Sequence, residues 1–194
     1  MADVTVNSKQ TVLECGVSIV LRGPHAADAS SLAKHANNRN VCANPTVNLA
    51  LRAAKPADRP FVESVYFETQ RRIIEKLFSW RGDEIKRTKF DEVYSESETS
   101  IVDADGRDVG WMSVRQMLDG SLDLDALYLL PAARNKGLGT ALIQQVIERA
   151  AAAGAPLTVS TAKINPARRL YERLGFVMTH ESEFKVFMEY RQPE

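Results

Sequence analysis

Hydrophobic and polar positions along the chain fall into short strand-like runs separated by turn residues, with helical spacing on either side of them. Thr99 to Ala104, Val109 to Gln116 and Leu122 to Leu130 read as three consecutive strands. They are joined by Asp105-Gly106 and Asp119-Gly120, dipeptides that favour tight hairpins. Thr46 to Arg52 predicts an earlier strand. Asp58 to Phe78 predicts a long helix whose apolar side carries Phe61, Val65, Ile73 or Ile74, and Leu77. A loop at Ser79 to Asp83, with Trp80, leads to a second helix at Glu84 to Tyr94 bearing Ile85, Phe90 and Val93. Beyond the hairpins, Leu138 to Ala153 is rich in good helix formers and closes at Gly154. Leu157 to Ala162 reads as a strand. Pro166 to Leu174 reads as a helix opened by Asn165 and closed by Gly175. Phe176 to Glu181 and Phe184 to Tyr190 end the chain as an antiparallel pair. Antiparallel strands followed by one β-α-β passage predict an α/β chain with a mixed, mostly antiparallel central sheet and helices on both faces.

The first 45 residues follow a different logic. Residues 1 to 16 are polar and are expected to be loose, Val17 to Arg22 reads as a strand, and Pro24 to Asn37 as a helix with Leu32 and His35 three apart. LRGPHAADASSL from Leu21 aligns with LRAAKPADRPFV from Leu51 at an offset of 30, sharing Leu21 and Leu51, Arg22 and Arg52, Ala27 and Ala57, and Asp28 and Asp58. Each copy is a strand, a polar turn and an Asp at a helix N-cap position. Residues 1–45 are therefore read as an N-terminal extension holding one extra β-α unit, and 46–194 as the main domain. The extension is expected to cover a sheet edge or to build a homodimer contact.

Composition narrows the function classes. The chain has 194 residues, 44% hydrophobic and 26% charged, with formal net charge zero, the balance of an ordinary soluble domain. A neutral chain is a poor candidate for binding nucleic acid by neutralising phosphates. No run of about 18 apolar residues marks a membrane span, and the N-terminus lacks an apolar secretory core, so a cytoplasmic location is expected. Cys15 and Cys42 stand in no metal-ligating or redox spacing, and no metal is expected.

The chemistry concentrates in LYLLPAARNKGLGT, Leu127 to Thr140. A strand runs through Pro131 into a turn carrying Arg134, Asn135, Lys136, Gly137 and Gly139, and then into a helix. Glycines let backbone amides approach an anion closely, and a helix start adds unpaired N–H donors and partial positive charge. The residues alone predict a cradle for a pyrophosphate. It is not a P-loop, because the lysine precedes the first glycine, nor a dinucleotide fingerprint, because Leu142 stands where the third glycine would be. Farther on, NPARRLYERLGF sets Tyr171 on a short helix.

Together the two stretches resemble the GNAT superfamily of N-acetyltransferases. Arg134, Gly137 and Gly139 match its [QR]-x-x-G-x-[GA] hallmark. Leu170, Tyr171, Leu174, Gly175 and Phe176 match its Asn-led L-Y-x-x-L-G-F helix, and the resemblance spans roughly residues 46 to 192. It implies a GNAT-like acyl-CoA N-acyltransferase fold and transfer of acetyl from acetyl-CoA to a primary amine, on a small molecule or a peptide. It further implies that the strands at Leu122 to Leu130 and Leu157 to Ala162 splay to admit the pantetheine arm. Backbone groups near Leu127 and Leu129 would pair with that arm, and one N–H there could hold the thioester oxygen. Amides from Asn135 through Lys136, Gly137, Leu138 and Gly139 to Thr140 would hold the pyrophosphate, with Arg134 and Lys136 adding charge. Asn165 is a further cofactor candidate, weakened because it precedes Tyr171 by six residues where many relatives have seven. Tyr171 would serve the leaving thiolate. Asp125 is the favoured base, with Asp123 and Glu68 as alternatives. Trp80, Arg81, Asp83 and His180 are candidates to read the acceptor. The competing functions are a non-catalytic acyl-CoA-binding or sensing module and a structural protein with a degenerate cradle.

Overall fold

The computed structural model describes residues 10–13, 17–21, 47–78, 88 and 90–191, with side chains from residue 47 onward except at 77 and 78. The expected helix at Pro24 to Asn37, both cysteines, the Trp80 loop with Arg81 and Asp83, and Ile85 lie outside these residues.

The described residues form one nine-stranded sheet in the order β1-β2-β3-β4-β5-β6-β7-β9-β8. The strands are β1 (Gln10–Leu13), β2 (Val17–Leu21), β3 (Val47–Ala53), β4 (Thr99–Ala104), β5 (Arg107–Gln116), β6 (Leu122–Leu129), β7 (Leu157–Ala162), β8 (Phe176–Glu181) and β9 (Lys185–Tyr190). Only β2/β3 and β6/β7 pair in parallel; every other ladder is antiparallel. The hairpins turn where expected, with Asp105 at φ 55°, Gly106 at 79° and Gly120 at 85°, backbone that these residue types adopt at little cost. Against the expectation of a loose start, Gln10–Leu13 pairs with β2. Thr11, Val12 and Leu13 are good strand formers, and β2 offers them an open edge. β2 lies beside β3 with Leu21 opposite Leu51, the same offset of 30 that relates the two sequence copies.

Among the described residues, three helices flank the sheet: α1 (Arg59–Phe78), α2 (Leu138–Ala153) and α3 (Arg168–Arg173). Residues 90–93 add a short helical piece. Two cores result, one on each face. Behind the sheet, Leu138, Ala141, Leu142, Ile143 and Val146 of α2, with Tyr171 of α3, pack on Leu122, Leu124, Leu157, Val159, Val186 and Met188. In front, Val62, Val65 and Tyr66 of α1 and Phe90 pack on Ile101, Trp111 and Ala126. The α1 pattern is corrected in part: Val65 is buried as expected, but Val62 and Tyr66 are the other anchors, while Phe61 and Ile74 pack only partly buried. The Trp111 indole N–H donates to the Val62 carbonyl at 3.0 Å, tying α1 to β5 inside this core. Arg52 on β3 bridges Asp58 at 2.7 Å and Asp108 at 2.7 Å, clamping the start of α1 to β5.

Candidate active site

The site begins with a defect in β6. Ser113 faces Ala126, and the next pair is Val114 with Leu124, so Asp125 is an extra residue with no partner on β5. A bulge of this kind bends its strand and raises its twist. On the other side, β6 pairs with β7 only from Leu122 to Leu124, against Leu157 to Val159. From Asp125 to Leu129 the two parallel strands have parted, and one edge of β6 backbone is left without a ladder. Leu127 and Leu129 lie on this free stretch, their side chains packed toward α2. Gly110 keeps the opposite ladder tight: a Cβ there would clash with the Tyr128 carbonyl oxygen. That glycine carries a role the sequence reading missed, because its backbone angles are ordinary and its neighbour is remote in sequence.

At the end of the splay the chain turns through Pro131–Ala133 into the glycine corner. Asn135 at φ 59° and Gly137 at φ 81° are left-handed. Gly137 is the N-cap of α2, and no side chain caps this end. The first amides of a helix have no intrahelical acceptor, so those after Gly137 remain available to an anion. A Cβ on Gly137 would meet nothing within 4 Å, so this glycine is demanded by its backbone angle and faces open space. Gly139 differs: a Cβ there would touch Leu170 at 3.4 Å. At that distance a methyl would make ordinary van der Waals contact with α3. Arg134, Asn135 and Lys136 are exposed. The Arg134 guanidinium donates through Nε to the Leu129 carbonyl at 2.8 Å, so that acceptor is already engaged. Lys136 forms no ion pair among the described residues.

The α3 segment starts later than its sequence suggests, at Arg168 rather than Pro166. Asn165 still shapes the entry: its Oδ1 accepts the Ala167 N–H at 3.0 Å, an Asx turn that occupies the oxygen and leaves the amide nitrogen. Tyr171 is buried, with its ring edge-on to Phe176 at 5.6 Å. Burial pushes its phenol up to about 12, and the charge of Asp123 adds to the shift. Burial likewise pushes the Tyr128 phenol upward, with further contributions from Tyr66, Asp125 and Tyr171. Asp123 and Asp125 both lie on β6 where it parts from β7, with Asp123 acting electrostatically on Tyr171 and Asp125 on Tyr128.

The two aspartates differ. Asp123 accepts the Thr158 hydroxyl at 2.8 Å across the paired part of the ladder. Asp125 is side by side with Arg115, Nη2 to Oδ2 at 3.3 Å, close enough to attract but out of hydrogen-bonding alignment, so that Oδ2 is buried without a hydrogen bond. Burial raises the Asp125 carboxyl above its ordinary range; Arg115 pulls it back and Asp123 pushes it farther. Glu68 is exposed on α1. His180 is exposed on β8 and stacks on Phe187 at 4.2 Å. Sequence reasoning also missed Tyr128, Arg115 and Ser113. Ser113 is fully buried, and its hydroxyl has no partner among the described residues. The bulge register sets Arg115 beside Asp125, and that register has no sequence signature.

A parallel pair parting beyond a bulge and leading to an uncapped helix start is the arrangement that the GNAT resemblance implies. Residues 95–178 match the family model described as "Acetyltransferase (GNAT) domain". The matched segment is therefore similar to the class of enzyme that moves an acetyl group from acetyl-CoA. No curated protein matches the chain. Among solved structures it resembles PaiA N-acetyltransferase from Thermoplasma acidophilum in complex with coenzyme A, at 16% identity and a TM-score of 0.61, covering 74% of this chain and 99% of that one. It also resembles the ribosomal-protein-S18-alanine N-acetyltransferase of Escherichia coli, at 18% identity and a TM-score of 0.53, covering 73% and 92%. N-acetylglutamate synthase from Neisseria gonorrhoeae, complexed with coenzyme A and N-acetyl-glutamate, matches at 18% identity and a TM-score of 0.50, covering 74% of this chain and 35% of that one. These likenesses establish the fold. Among the described residues no group of His, Cys, Asp and Glu could hold a metal ion.

Proposed function

We propose that the chain is an N-acetyltransferase in which acetyl-CoA lies in the β6/β7 splay, its pyrophosphate on the amides of residues 135–140, and a primary amine receives the acetyl group. The observation that carries this is the succession of two features along the chain: a β6 edge left unpaired beyond Leu124 and, after the turn at Pro131–Ala133, an uncapped helix start at Gly137. Leu127 and Leu129 border the edge, though the Leu129 carbonyl is taken by Arg134. Acetyl-CoA would supply an activated acyl carbon and a thiolate leaving group.

Asp125 is the group proposed to take the amine's proton. An alkylammonium with pKa near 10.4 is neutral in roughly one molecule in two thousand at pH 7, so a carboxylate raised by burial is a better acceptor than an ordinary one. Tyr171 is proposed to meet the departing sulfur. With its phenol pushed up to about 12, it is fully protonated at neutral pH. A free thiol titrates near 8.5, so complete transfer of the phenolic proton would be uphill by roughly 3.5 units, about 5 kcal/mol. Hydrogen-bond donation to the growing thiolate charge, rather than release of the proton, is the role this environment favours.

The test is acetyl-CoA consumption against diamines, amino acids, aminoglycosides and peptides with free α- or ε-amines. Turnover with at least one amine is expected. Tight coenzyme binding with no turnover on any amine would point instead to a sensing module. We further propose that residues 1–45 are a structural extension that continues the sheet beyond β3 and offers a homodimer contact, and that the protein works in the cytoplasm. Among the described residues no helix is long and apolar enough to cross a membrane.

A further inference from the structure

The Arg115 guanidinium sits between two carboxylates. Its Nε donates to Glu98 Oε2 at 2.9 Å, and its Nη2 lies 3.3 Å from Asp125 Oδ2. Glu98 lies just before β4, Arg115 near the end of β5, and Asp125 at the bulge of β6, so the chain of charges spans three adjacent strands on the α1 face of the sheet. All three side chains keep some exposure, 39%, 31% and 21% in that order, so the charges are only partly screened by water. The bulge has taken Asp125 out of the β5 ladder, so the cross-strand register no longer sets its direction. Among the described residues, Arg115 is the cation within ion-pair distance of it.

We propose that Arg115, braced by Glu98, is a positioning residue that aims the Asp125 carboxylate at the acceptor amine. This rests on the reading of Asp125 as base. Glu98 is the tether: it holds one edge of the guanidinium and shares its charge, so Asp125 is steered without being locked into a bidentate pair. Such a pair would hold both carboxylate oxygens and blunt a base. The other groups acting on Asp125 are Asp123 on its own strand and Lys185 on β9. Thr158 on β7 is neutral and bonds Asp123. Tyr128 and Tyr171 remain protonated through neutral pH because burial raises both phenols.

Opposite signs follow for the two ends of the chain of charges. Removing the Arg115 cation moves the Asp125 titration to higher pH. Removing the Glu98 anion takes a repelling charge away and frees Arg115 for Asp125, so the titration moves to lower pH.

The experiment is carboxyl-carbon NMR of the aspartate-labelled full chain, titrated with pH in the wild type and in Arg115→Gln, Arg115→Lys and Glu98→Gln, with Asp125→Asn assigning the resonance. The pH dependence of kcat/KM for acetyl-CoA with a reactive amine runs in parallel. Expected are an upward shift in Arg115→Gln, near-wild-type titration in Arg115→Lys and a downward shift in Glu98→Gln. In Arg115→Gln, kcat should fall while KM for acetyl-CoA holds. An Asp125 titration that ignores Arg115→Gln, or shifts of the same sign in Arg115→Gln and Glu98→Gln, would overturn the proposal. If Asp125→Asn leaves the acidic limb of the rate profile in place, the base assignment fails and the proposal falls with it. If Asp125→Asn abolishes the limb but Arg115→Gln does not move it, the proposal alone fails. Arg115→Lys keeps the charge, so misfolding of Arg115→Gln is recognised by comparing their thermal transitions.

Discussion

At Tyr171, burial does two things at once: it packs the ring against Phe176 and it holds the phenol in its protonated form. The packing alone would explain a tyrosine or a phenylalanine; the hydroxyl is what chemistry needs. Tyr171→Phe keeps the ring contacts, so it should leave coenzyme affinity and stability nearly unchanged while lowering kcat by roughly a hundredfold or more. Steady-state kinetics and coenzyme titration on the same preparation check this. A kcat close to wild type would reduce Tyr171 to a packing residue. Tyr171 could be named as a candidate from the sequence because its motif is local, and Asp125 because it lies on the strand leading to the cradle, but the neighbour Arg115 could not. Ten residues and a hairpin separate them, and a one-residue bulge decides that they meet.

The elements fold largely as their local patterns predict. β4, α2, β7 and β8 have the expected bounds, because Asp-Gly turns and glycine caps punctuate them. The α1 face was less legible, since Val62 and Tyr66 are buried by what the sheet offers, including the Trp111 indole, rather than by helical spacing alone. Three glycines show what an element demands of one residue. Gly137 needs its left-handed backbone, so Gly137→Ala should cost about 1–2 kcal/mol and weaken coenzyme binding by misdirecting the amides behind it. Gly139 needs only room, and an alanine would touch Leu170 without overlap; Gly139→Ala should retain most activity. Gly110→Ala drives a methyl into the Tyr128 carbonyl. It should cost about 1–3 kcal/mol and disturb the splay from behind. Urea unfolding midpoints and KM for acetyl-CoA, measured on all three, should rank them in that way. Equal tolerance of Gly137→Ala and Gly139→Ala would contradict the assignment of the cradle.

For the whole molecule, the sheet carries a core on each face, and a clamp of charges ties β3 to the start of α1 and to β5. The clamp and the buried phenols set opposite limits in pH. Arg52 holds the Asp58 carboxyl below its ordinary 3.8. A depressed folded value means that this contribution is present above that pH and is lost on acidification. Burial pushes Tyr66 and Tyr171 up to about 12 from an ordinary 10.0. A raised folded value means that their contribution is full below pH 10 and is lost as pH climbs toward 12. Stability should therefore form a plateau that falls at both ends, read by urea unfolding across pH. In Tyr171→Phe the alkaline decline should be shallower, and an unchanged decline would show that the phenol is not buried in solution.

The most direct measurement is backbone amide NMR of the full chain during titration with coenzyme A. The amide resonances of residues 135–140 should move most, joined by those of residues 125–129 along the open edge of β6, and the response should saturate at one coenzyme per chain. Unmoved amides at this corner, with binding elsewhere or not at all, would contradict the claim that an uncapped helix start grips the pyrophosphate.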